Sequence, residues 1–328
     1  MPHDIDWASI EEAFDYAFDE PYPDNPRYTR AALVVYQGKI IKEQYADGFH
    51  DQMPLLGWSM TKSITNAMVG LRVLDGILDI NDPDVPIWHQ DPDDPRADIR
   101  LTDLMHMSSG LDFAEDYSRP SDVNKMLWTK SSAAATASKA QLKHPVNTKW
   151  YYSSGTTNII SEIVRRSFQI DLDYQLFPYQ RLFDPLGMST AIIEMDASGT
   201  FVGSSLMYAS ARDWAKFGLL YLNDGTWDGQ RILPKGWVEY SSTRTPVLKE
   251  GLYSAQFWNN AYSEPAGTTM NRHWPDIPME TYYASGFEGQ QVVIIPSLDM
   301  VIVRLGCTSD RTNWDVEKFL TLIVKGVS

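Results

Sequence analysis

Residues 59–78 read SMTKSITNAMVGLRVLDGIL, and this segment is the most informative one for predicting the fold. Its apolar side chains recur about one helical turn apart, which predicts a long buried helix that begins near Ser59. These apolar residues are Ile64, Met68, Leu71 and Leu74. Because the N-terminus of a helix carries positive partial charge, negative charge that develops on a serine there is favoured.

Ser59 and Lys62 form a Ser-x-x-Lys motif at the start of this stretch. On a helix, this spacing places the hydroxyl and the amine on the same face. A serine needs a base to act as a nucleophile at neutral pH, and a buried lysine loses its proton readily enough to serve. The alternative is a serine that caps the helix and a solvated surface lysine. Trp58 and Ile64 indicate burial and favour the reactive pair.

Strand patterns lie at both ends of the chain, with helical patterns between them. Residues 31–46 (AALVVYQGKIIKEQYA) form two β-rich segments around a Gln-Gly turn, and residues 290–296 (QQVVIIP) and 300–305 (MVIVRL) form a second hairpin. The sequence therefore predicts an α/β (α+β) fold, in which helices flank an antiparallel sheet built from both chain ends. The predicted domains are an α/β domain of residues 1–79 and 226–328 and a mostly helical inserted domain of residues 80–225.

Composition and charge argue against several classes of function. With 43 acidic and 28 basic residues, the formal net charge is -15, and such a field repels nucleic acid and anionic lipid. No stretch approaches the roughly 18 apolar residues that a membrane span needs, and the first residues show no signal-peptide pattern. The single cysteine, Cys307, allows no internal disulfide. We expect a cytoplasmic protein without a nucleic-acid or membrane partner.

The histidines point to no metal centre. None of the six lies in a Gly-x-Ser-x-Gly or a His-Glu-x-x-His context, so neither a Ser-His-Asp hydrolase nor a zinc hydrolase gains support. We expect no metal and no cofactor. The expected partner is a small-molecule substrate, and the expected assembly is a monomer or a homodimer.

A tyrosine motif at residues 150–155 (WYYSSG) is a candidate proton carrier. It has two registers, Tyr151 with Ser153 or Tyr152 with Ser154. Beside an ammonium group the pKa of a phenol falls, so the tyrosine would deprotonate the nucleophilic serine and then protonate the leaving group. An aromatic packing cluster is the alternative interpretation.

A glycine-rich turn at residues 284–290 (ASGFEGQ) leads into the first strand of the C-terminal hairpin. Glycine lets the backbone approach a ligand closely. A backbone N–H of this turn would then join the N–H of Ser59 in binding the oxyanion of a tetrahedral intermediate. A plain β-bulge is the alternative.

These motifs, in this order along the chain, resemble the serine β-lactamase and penicillin-binding-protein superfamily. The similarity is strongest to its class C-like branch, which contains family VIII carboxylesterases and 6-aminohexanoate-dimer hydrolases. The segments 101–113 (LTDLMHMSSGLDF), 182–188 (LFDPLGM) and 210–225 (SARDWAKFGLLYLNDG) also look typical of the family, mostly as scaffold. The resemblance implies a β-lactamase/transpeptidase-like fold and hydrolysis through an acyl-enzyme.

The resemblance also implies roles for individual residues. Ser59 would be the nucleophile, Lys62 its base partner and Tyr152 the catalytic tyrosine, which selects the second register. The oxyanion hole would consist of the backbone N–H groups of Ser59 and Phe287. Ser154 stands where true class C lactamases commonly have asparagine.

One departure from the family pattern bears on the substrate. Ala284-Ser285-Gly286 stands where lactamases carry Lys-Thr-Gly, so the cation that pairs with a β-lactam carboxylate is missing. We therefore expect an ester substrate. The alternatives are linear amides such as 6-aminohexanoate oligomers, then weak β-lactamase or D-amino peptidase activity. A non-catalytic binding module is a further alternative, which the presence of all three reactive side chains opposes.

An aromatic pocket with a few polar groups is expected around the serine. Asp122 and Glu288 would bind a cationic or amide group of the substrate, although solvated carboxylates are the commoner case. The candidate substrate contacts are Ser154, Asp122, Tyr151, Trp128, Trp258, Ser285, Gly286 and Glu288, with Trp274 and Phe287 as further aromatic walls.

Overall fold

The structure is a computed structural model that describes residues 5–82, 87–88, 91, 93–248, 252–263 and 270–327. Its helices are α1 (Trp7–Phe18), α2 (Thr61–Leu74), α3 (Leu101–Met105), α4 (Asp122–Thr129), α5 (Ala133–Ala137), α6 (Ser154–Arg166), α7 (Asp171–Pro178), α8 (Asp184–Leu186), α9 (Ala211–Leu222), α10 (Trp237–Ser242) and α11 (Val316–Lys325). Its strands are β1 (Thr29–Tyr36), β2 (Lys39–Tyr45), β3 (Leu55–Leu56), β4 (Ile192–Ile193), β5 (Met207–Ala209), β6 (Thr226–Trp227), β7 (Gln230–Arg231), β8 (Trp258–Asn259), β9 (Ala261–Ser263), β10 (Met270–Arg272), β11 (Tyr282–Gly286), β12 (Gln290–Ile295) and β13 (Met300–Gly306).

A six-stranded sheet joins the two ends of the chain. Its strand order is β2-β1-β13-β12-β11-β8, and each neighbouring pair is antiparallel. β1 pairs with β13 so that Leu33 lies opposite Val303. The prediction of an antiparallel sheet built from both chain ends and flanked by helices is confirmed.

Apolar side chains of the central strands alternate between two cores, one on each face of the sheet. Val292 and Ile294 of β12 belong to the core that includes α2 and α9, whereas Val293 and Ile295 belong to the core that includes α1 and α11. Successive side chains of a strand point to opposite faces, so a strand buried on both faces has a continuous apolar sequence. This explains the unbroken apolar run in residues 292–296.

The middle of the chain supplies most of the helices. Helices α3 to α8 lie between the N-terminal and C-terminal strands of the large sheet in sequence, whereas α9 packs against β12 and β13 of that sheet. The proposed division into residues 1–79 with 226–328 and residues 80–225 stays a prediction. Among the described residues, no helix is long and apolar enough to span a membrane.

Candidate active site

Ser59 lies in a 3-10 turn, Trp58–Met60, that runs directly into α2. The hydroxyl of Thr61 donates to the carbonyl of Trp58 at 2.7 Å and closes this turn. Trp58 has a φ of 48°, a backbone conformation that is uncommon for residues with a side chain and that clusters at functional sites. The serine is therefore held on a tight turn just before the helix rather than within it.

Lys62 is a buried amine at the centre of the site, with an exposed fraction of 1%. Its Nζ lies 3.0 Å from Ser59 Oγ, 3.0 Å from Ser154 Oγ and 2.9 Å from the carbonyl oxygen of Ser204. Burial lowers the pKa of Lys62 to about 8, while the charge of Glu115 acts in the opposite direction. A useful fraction of the amine is thus neutral near pH 7 and can accept the proton of Ser59.

Tyr152 reaches the same centre from the N-terminal side of α6. Its neighbour Ser153 caps that helix by accepting the N–H of Thr156 at 3.1 Å. The side chain of Ser59 acts on the pKa of the Tyr152 phenol, and the centroid of the Tyr152 ring lies 4.9 Å from Lys62 Nζ. The structure thus brings the three predicted reactive side chains together.

The pKa of Tyr152 differs from the expectation of the sequence. Burial raises it well above the ordinary value for a phenol, because a phenolate is costly to desolvate, and the hydrogen bond with Ser59 offsets this only in part. The expected fall of the pKa beside an ammonium group was wrong. A phenol with a raised pKa keeps its proton at neutral pH and can donate it, whereas the lowered pKa of Lys62 suits a proton acceptor.

The two tyrosines of the motif point in different directions. Ser154, in the same register as Tyr152, is fully buried against Lys62. Tyr151 is exposed, and its phenol oxygen accepts the N–H of Glu115 at 3.4 Å. The geometry therefore places Tyr152 and Ser154 at the reactive centre, as the resemblance implied.

Sequence reasoning missed Glu115 and Tyr117, which complete the polar network. Glu115 Oε1 accepts the hydroxyl of Ser154 at 2.5 Å, and Oε2 accepts its N–H at 2.8 Å. The hydroxyl of Tyr117 donates to Glu115 Oε1 at 3.2 Å and lies 3.3 Å from Ser154 Oγ. Both residues closely follow segment 101–113, whose sequence is typical of the family scaffold. The local sequence signal for them is the run Glu115-Asp116-Tyr117, and nothing in this run identifies Ser154 as the partner.

The glycine turn after β11 closely approaches the 3-10 turn Trp58–Met60, which carries Ser59. A Cβ atom at Gly286 would lie 2.2 Å from the carbonyl oxygen of Gly57, so this approach is open only to glycine. The ring of Phe287 meets the ring of Trp58 edge to face, with centroids 5.7 Å apart. The backbone of Phe287 is thus near Ser59, and the oxyanion hole of these two N–H groups stays a prediction.

Three of the predicted substrate contacts lie around this turn and Tyr152. Trp258 packs on the ring of Tyr152, with centroids 5.5 Å apart. Ser285 pairs with Gln291 between β11 and β12. The carboxylate of Glu288 accepts the thiol of Cys307 at 3.4 Å, so it already has a partner within the protein.

The other predicted contacts have different surroundings. Asp122 accepts the N–H of Ala114 at 3.0 Å, which ties α4 to the loop before it. Trp128 is 58% exposed on α4. Trp274 packs on Tyr283 in the core that includes α1 and α11. Tyr151 lines a cavity of about 200 Å³ together with Leu111, Asp112, Phe113, Ala114, Lys143, His144 and Lys149. A role of these four side chains in substrate binding stays a prediction.

The described parts of the chain contain no group of three or more His, Cys, Asp or Glu residues that could hold a metal ion. The site residues identified above instead supply a hydroxyl, an amine, a phenol and backbone N–H groups. These groups suit proton transfer and nucleophilic attack on a carbonyl carbon.

A Ser-x-x-Lys centre before a buried helix, beside an antiparallel sheet from both chain ends, defines the penicillin-recognising class of proteins. A family model described as Beta-lactamase matches residues 24–319, and the chain belongs to this family of hydrolases. The prediction of the serine β-lactamase and penicillin-binding-protein superfamily is confirmed.

Several relatives show how the family extends. The chain is 25% identical to a 6-aminohexanoate-dimer hydrolase from Paenarthrobacter ureafaciens, over 86% of this chain and 73% of that one. Among solved structures, a family VIII carboxylesterase has a TM-score of 0.71 and 16% identity, covering 99% of this chain and 97% of that one. A penicillin-binding-protein homologue from Caulobacter crescentus has a TM-score of 0.71 and 14% identity, covering 97% and 95%. These structural likenesses establish the shared fold.

Proposed function

We propose that this protein is a serine hydrolase that cleaves carboxylic esters through an acyl-enzyme on Ser59. The observation that carries the proposal is the buried amine of Lys62, which lies 3.0 Å from Ser59 Oγ and has a pKa of about 8. A lysine that is neutral and within hydrogen-bond reach of a serine has the geometry and the basicity of a general base.

The reaction starts with attack of Ser59 Oγ on the ester carbonyl carbon while Lys62 takes the hydroxyl proton. The N–H groups of Ser59 and Phe287 bind the resulting oxyanion. As the bond to the leaving oxygen breaks, Tyr152 donates its phenol proton to that oxygen and is reprotonated from Lys62. Water then attacks the acyl-enzyme carbonyl carbon while neutral Lys62 takes a proton from it. As the bond to Ser59 Oγ breaks, Lys62 returns this proton to Ser59 Oγ, and the carboxylic acid leaves.

Two features support an ester over a β-lactam. Ala284, buried in β11, occupies the position at which lactamases carry a lysine. Aromatic rings flank the 3-10 turn Trp58–Met60, which carries Ser59. The rings of Phe287 and Tyr117 are stacked with centroids 5.7 Å apart, and Phe287 is 42% exposed. A neutral acyl group with apolar surface fits such walls better than an anionic ring does.

Hydrolysis of linear amides is the second candidate. An amine leaves only when it is protonated, and Tyr152, whose pKa is raised by burial, keeps a proton available for it. The relative from Paenarthrobacter ureafaciens is named as a hydrolase of an aminohexanoate dimer. The same serine, lysine and tyrosine would carry out both reactions.

A panel of three substrates tests the proposal: p-nitrophenyl butyrate, a linear aminohexanoate amide and nitrocefin, each with the wild type and Ser59→Ala. We expect fastest turnover of the ester and loss of all turnover in Ser59→Ala. Ester hydrolysis that survives the substitution would reject Ser59 as the nucleophile. Lack of turnover on every substrate would favour a binding module.

A further inference from the structure

We infer that Glu115 is a positioning residue, which fixes the hydrogen-bond direction of the Ser154 hydroxyl and thereby aims the lone pair of Lys62 at Ser59. The inference rests on the proposed function, because it concerns how the general base is oriented. Both carboxylate oxygens of Glu115 hydrogen-bond to Ser154, so Glu115 acts on Lys62 through Ser154.

The first step is the direction of the bond between Glu115 and Ser154. An ionised carboxylate only accepts hydrogen bonds. Glu115 Oε2 accepts the backbone N–H of Ser154 at 2.8 Å, and Oε1 accepts its hydroxyl at 2.5 Å. The short distance is typical of an O–H donor and a charged acceptor. The hydroxyl proton of Ser154 therefore points at Glu115, and Ser154 Oγ presents lone pairs to Lys62.

The second step counts the hydrogen bonds of Lys62. A neutral amine has two N–H donors and one lone pair. The carbonyl oxygen of Ser204, at 2.9 Å, can only accept, and so can Ser154 Oγ, at 3.0 Å, once its proton is given to Glu115. Both N–H groups are thus used, and the lone pair faces the remaining neighbour, Ser59 Oγ, at 3.0 Å.

The third step concerns water, which has little access to the amine of Lys62 and so cannot orient it. Lys62, Ser154 and Ser204 are at most 1% exposed, so bulk water cannot easily replace a misdirected partner. If the Ser154 hydroxyl were free to rotate, it could donate to Lys62 and occupy the lone pair. Glu115 prevents this and leaves the base ready to accept the proton of Ser59.

The variant Glu115→Gln separates this role from a structural one. The amide has one acceptor oxygen, so its NH2 group must face either the Ser154 N–H or Ser154 Oγ, and the hydroxyl direction is no longer fixed. We expect the plateau of kcat/KM for p-nitrophenyl butyrate to fall about 100-fold, the usual scale for a misplaced reactive group. The substitution keeps the volume of the side chain and removes its charge.

The pH profile supplies the readout that a structural role would not change. The titratable groups around Lys62 in the described part of the chain are Glu115, whose charge acts on it, Tyr152, whose ring lies beside it, and Tyr117, which contacts Ser154. Because the charge of Glu115 raises the pKa of Lys62, the rising limb of kcat/KM should move to lower pH in Glu115→Gln while its plateau falls. Glu115→Asp should retain the position of the limb and recover part of the plateau.

The matched control is Asp116→Asn, the same chemical change at the adjacent residue. The carboxylate of Asp116 binds Ser118 and Arg119 instead of Ser154, so the pH profile of Asp116→Asn should match that of the wild type. The plateau of kcat/KM for the double variant Glu115→Gln with Ser154→Ala should be no lower than that of Glu115→Gln alone. Both substitutions remove the same hydrogen-bonded connection from Glu115 through Ser154 to Lys62, so their effects should not add. Additive losses, or a lowered plateau with an unmoved limb, would overturn the inference.

Labelling of Ser59 by a fluorophosphonate, followed by mass spectrometry, distinguishes this inference from the proposed function. A wild type that is not labelled at Ser59 would reject both. A wild type labelled at Ser59 together with an unchanged Glu115→Gln would reject the inference alone. If Glu115→Gln does not fold, Ser154→Ala decides: the inference requires a similar loss of the plateau, and wild-type activity would overturn it.

Discussion

Lys62 and Arg304 are both buried cations with an exposed fraction of 1%, yet their surroundings differ in kind. Lys62 contacts the proposed nucleophile Ser59, a second serine hydroxyl and one carbonyl oxygen. Arg304 contacts the backbone of the turn that carries the proposed oxyanion N–H. It donates to the carbonyls of Glu288 and Gly289, each at 3.1 Å.

The difference follows from the chemistry of the two side chains. Burial lowers the pKa of Lys62 to about 8 and that of Arg304 to about 9. A lysine in this range exchanges its proton near neutral pH, whereas a guanidinium stays charged and has only donors. The remaining partners of Arg304 are the carbonyl of Arg27 and the hydroxyls of Thr29 and Thr308. Burial therefore suits Lys62 to the proposed role of a base, whereas Arg304 holds the backbone around it as a permanently charged hydrogen-bond donor, which we call a clamp.

Replacement of Lys62 should have the largest effect on activity and little unfavourable effect on stability. In Lys62→Met, Ser59 loses its base, and we expect kcat/KM to fall about 1000-fold or more. Loss of the costly buried amine should offset the loss of its two hydrogen bonds, to the Ser204 carbonyl and Ser154 Oγ, so the melting temperature should stay equal or rise. Ester hydrolysis and thermal unfolding measure the two effects. Lys125→Met, at an exposed position of α4, is the control, and a large loss of stability in Lys62→Met would contradict the comparison.

Replacement of Arg304 should have the reverse pattern. Arg304→Met leaves several buried carbonyl and hydroxyl groups without a donor, and we expect the free energy of unfolding to fall by about 3 kcal/mol. Urea unfolding measures it. Arg231→Met, in which an exposed ion pair with Asp224 is lost, should change stability by less than about 0.5 kcal/mol. Equal free energies of unfolding for Arg304→Met and Arg231→Met would show that the buried hydrogen bonds of Arg304 do not stabilise the fold.

The same comparison shows what could be predicted from sequence. Ser59, Lys62 and the segments around Tyr152 and Gly286 form local motifs, and the alternation of apolar residues predicts strands and helices. Glu115 and Arg304 act through contacts with residues distant in sequence: Ser154 follows Glu115 by 39 residues, and Thr29 precedes Arg304 by 275. No local pattern records such pairs. The pKa of Tyr152 was also predicted in the wrong direction, because burial depends on the assembled fold.

Tyr152→Phe tests whether Lys62 needs a separate proton donor for the leaving group. The phenol should matter most for a poor leaving group, so we expect a loss of about 100-fold for the linear aminohexanoate amide and a loss of less than about 10-fold for p-nitrophenyl butyrate. Steady-state kinetics with both substrates measures the ratio. Tyr179→Phe, whose ring packs on Phe183, is the control. Equal losses for both substrates would indicate that Tyr152 positions Ser59 instead of protonating the leaving group.

The smallest expected effect is the pH dependence of stability that Lys62 contributes. Its pKa is about 8 in the folded chain and 10.5 when exposed, so between these values the unfolded chain binds more protons than the folded one. The stability of the wild type relative to Lys62→Met should therefore rise with pH above about 8, by at most about 1.4 kcal/mol per pH unit, and stay constant below it. Urea unfolding of both proteins at pH 7, 8, 9 and 9.5 measures the difference. If the difference in free energy of unfolding between the two proteins does not change over this pH range, Lys62 keeps its proton as an arginine would. Lys62 would then not differ from Arg304 in its ability to act as a base.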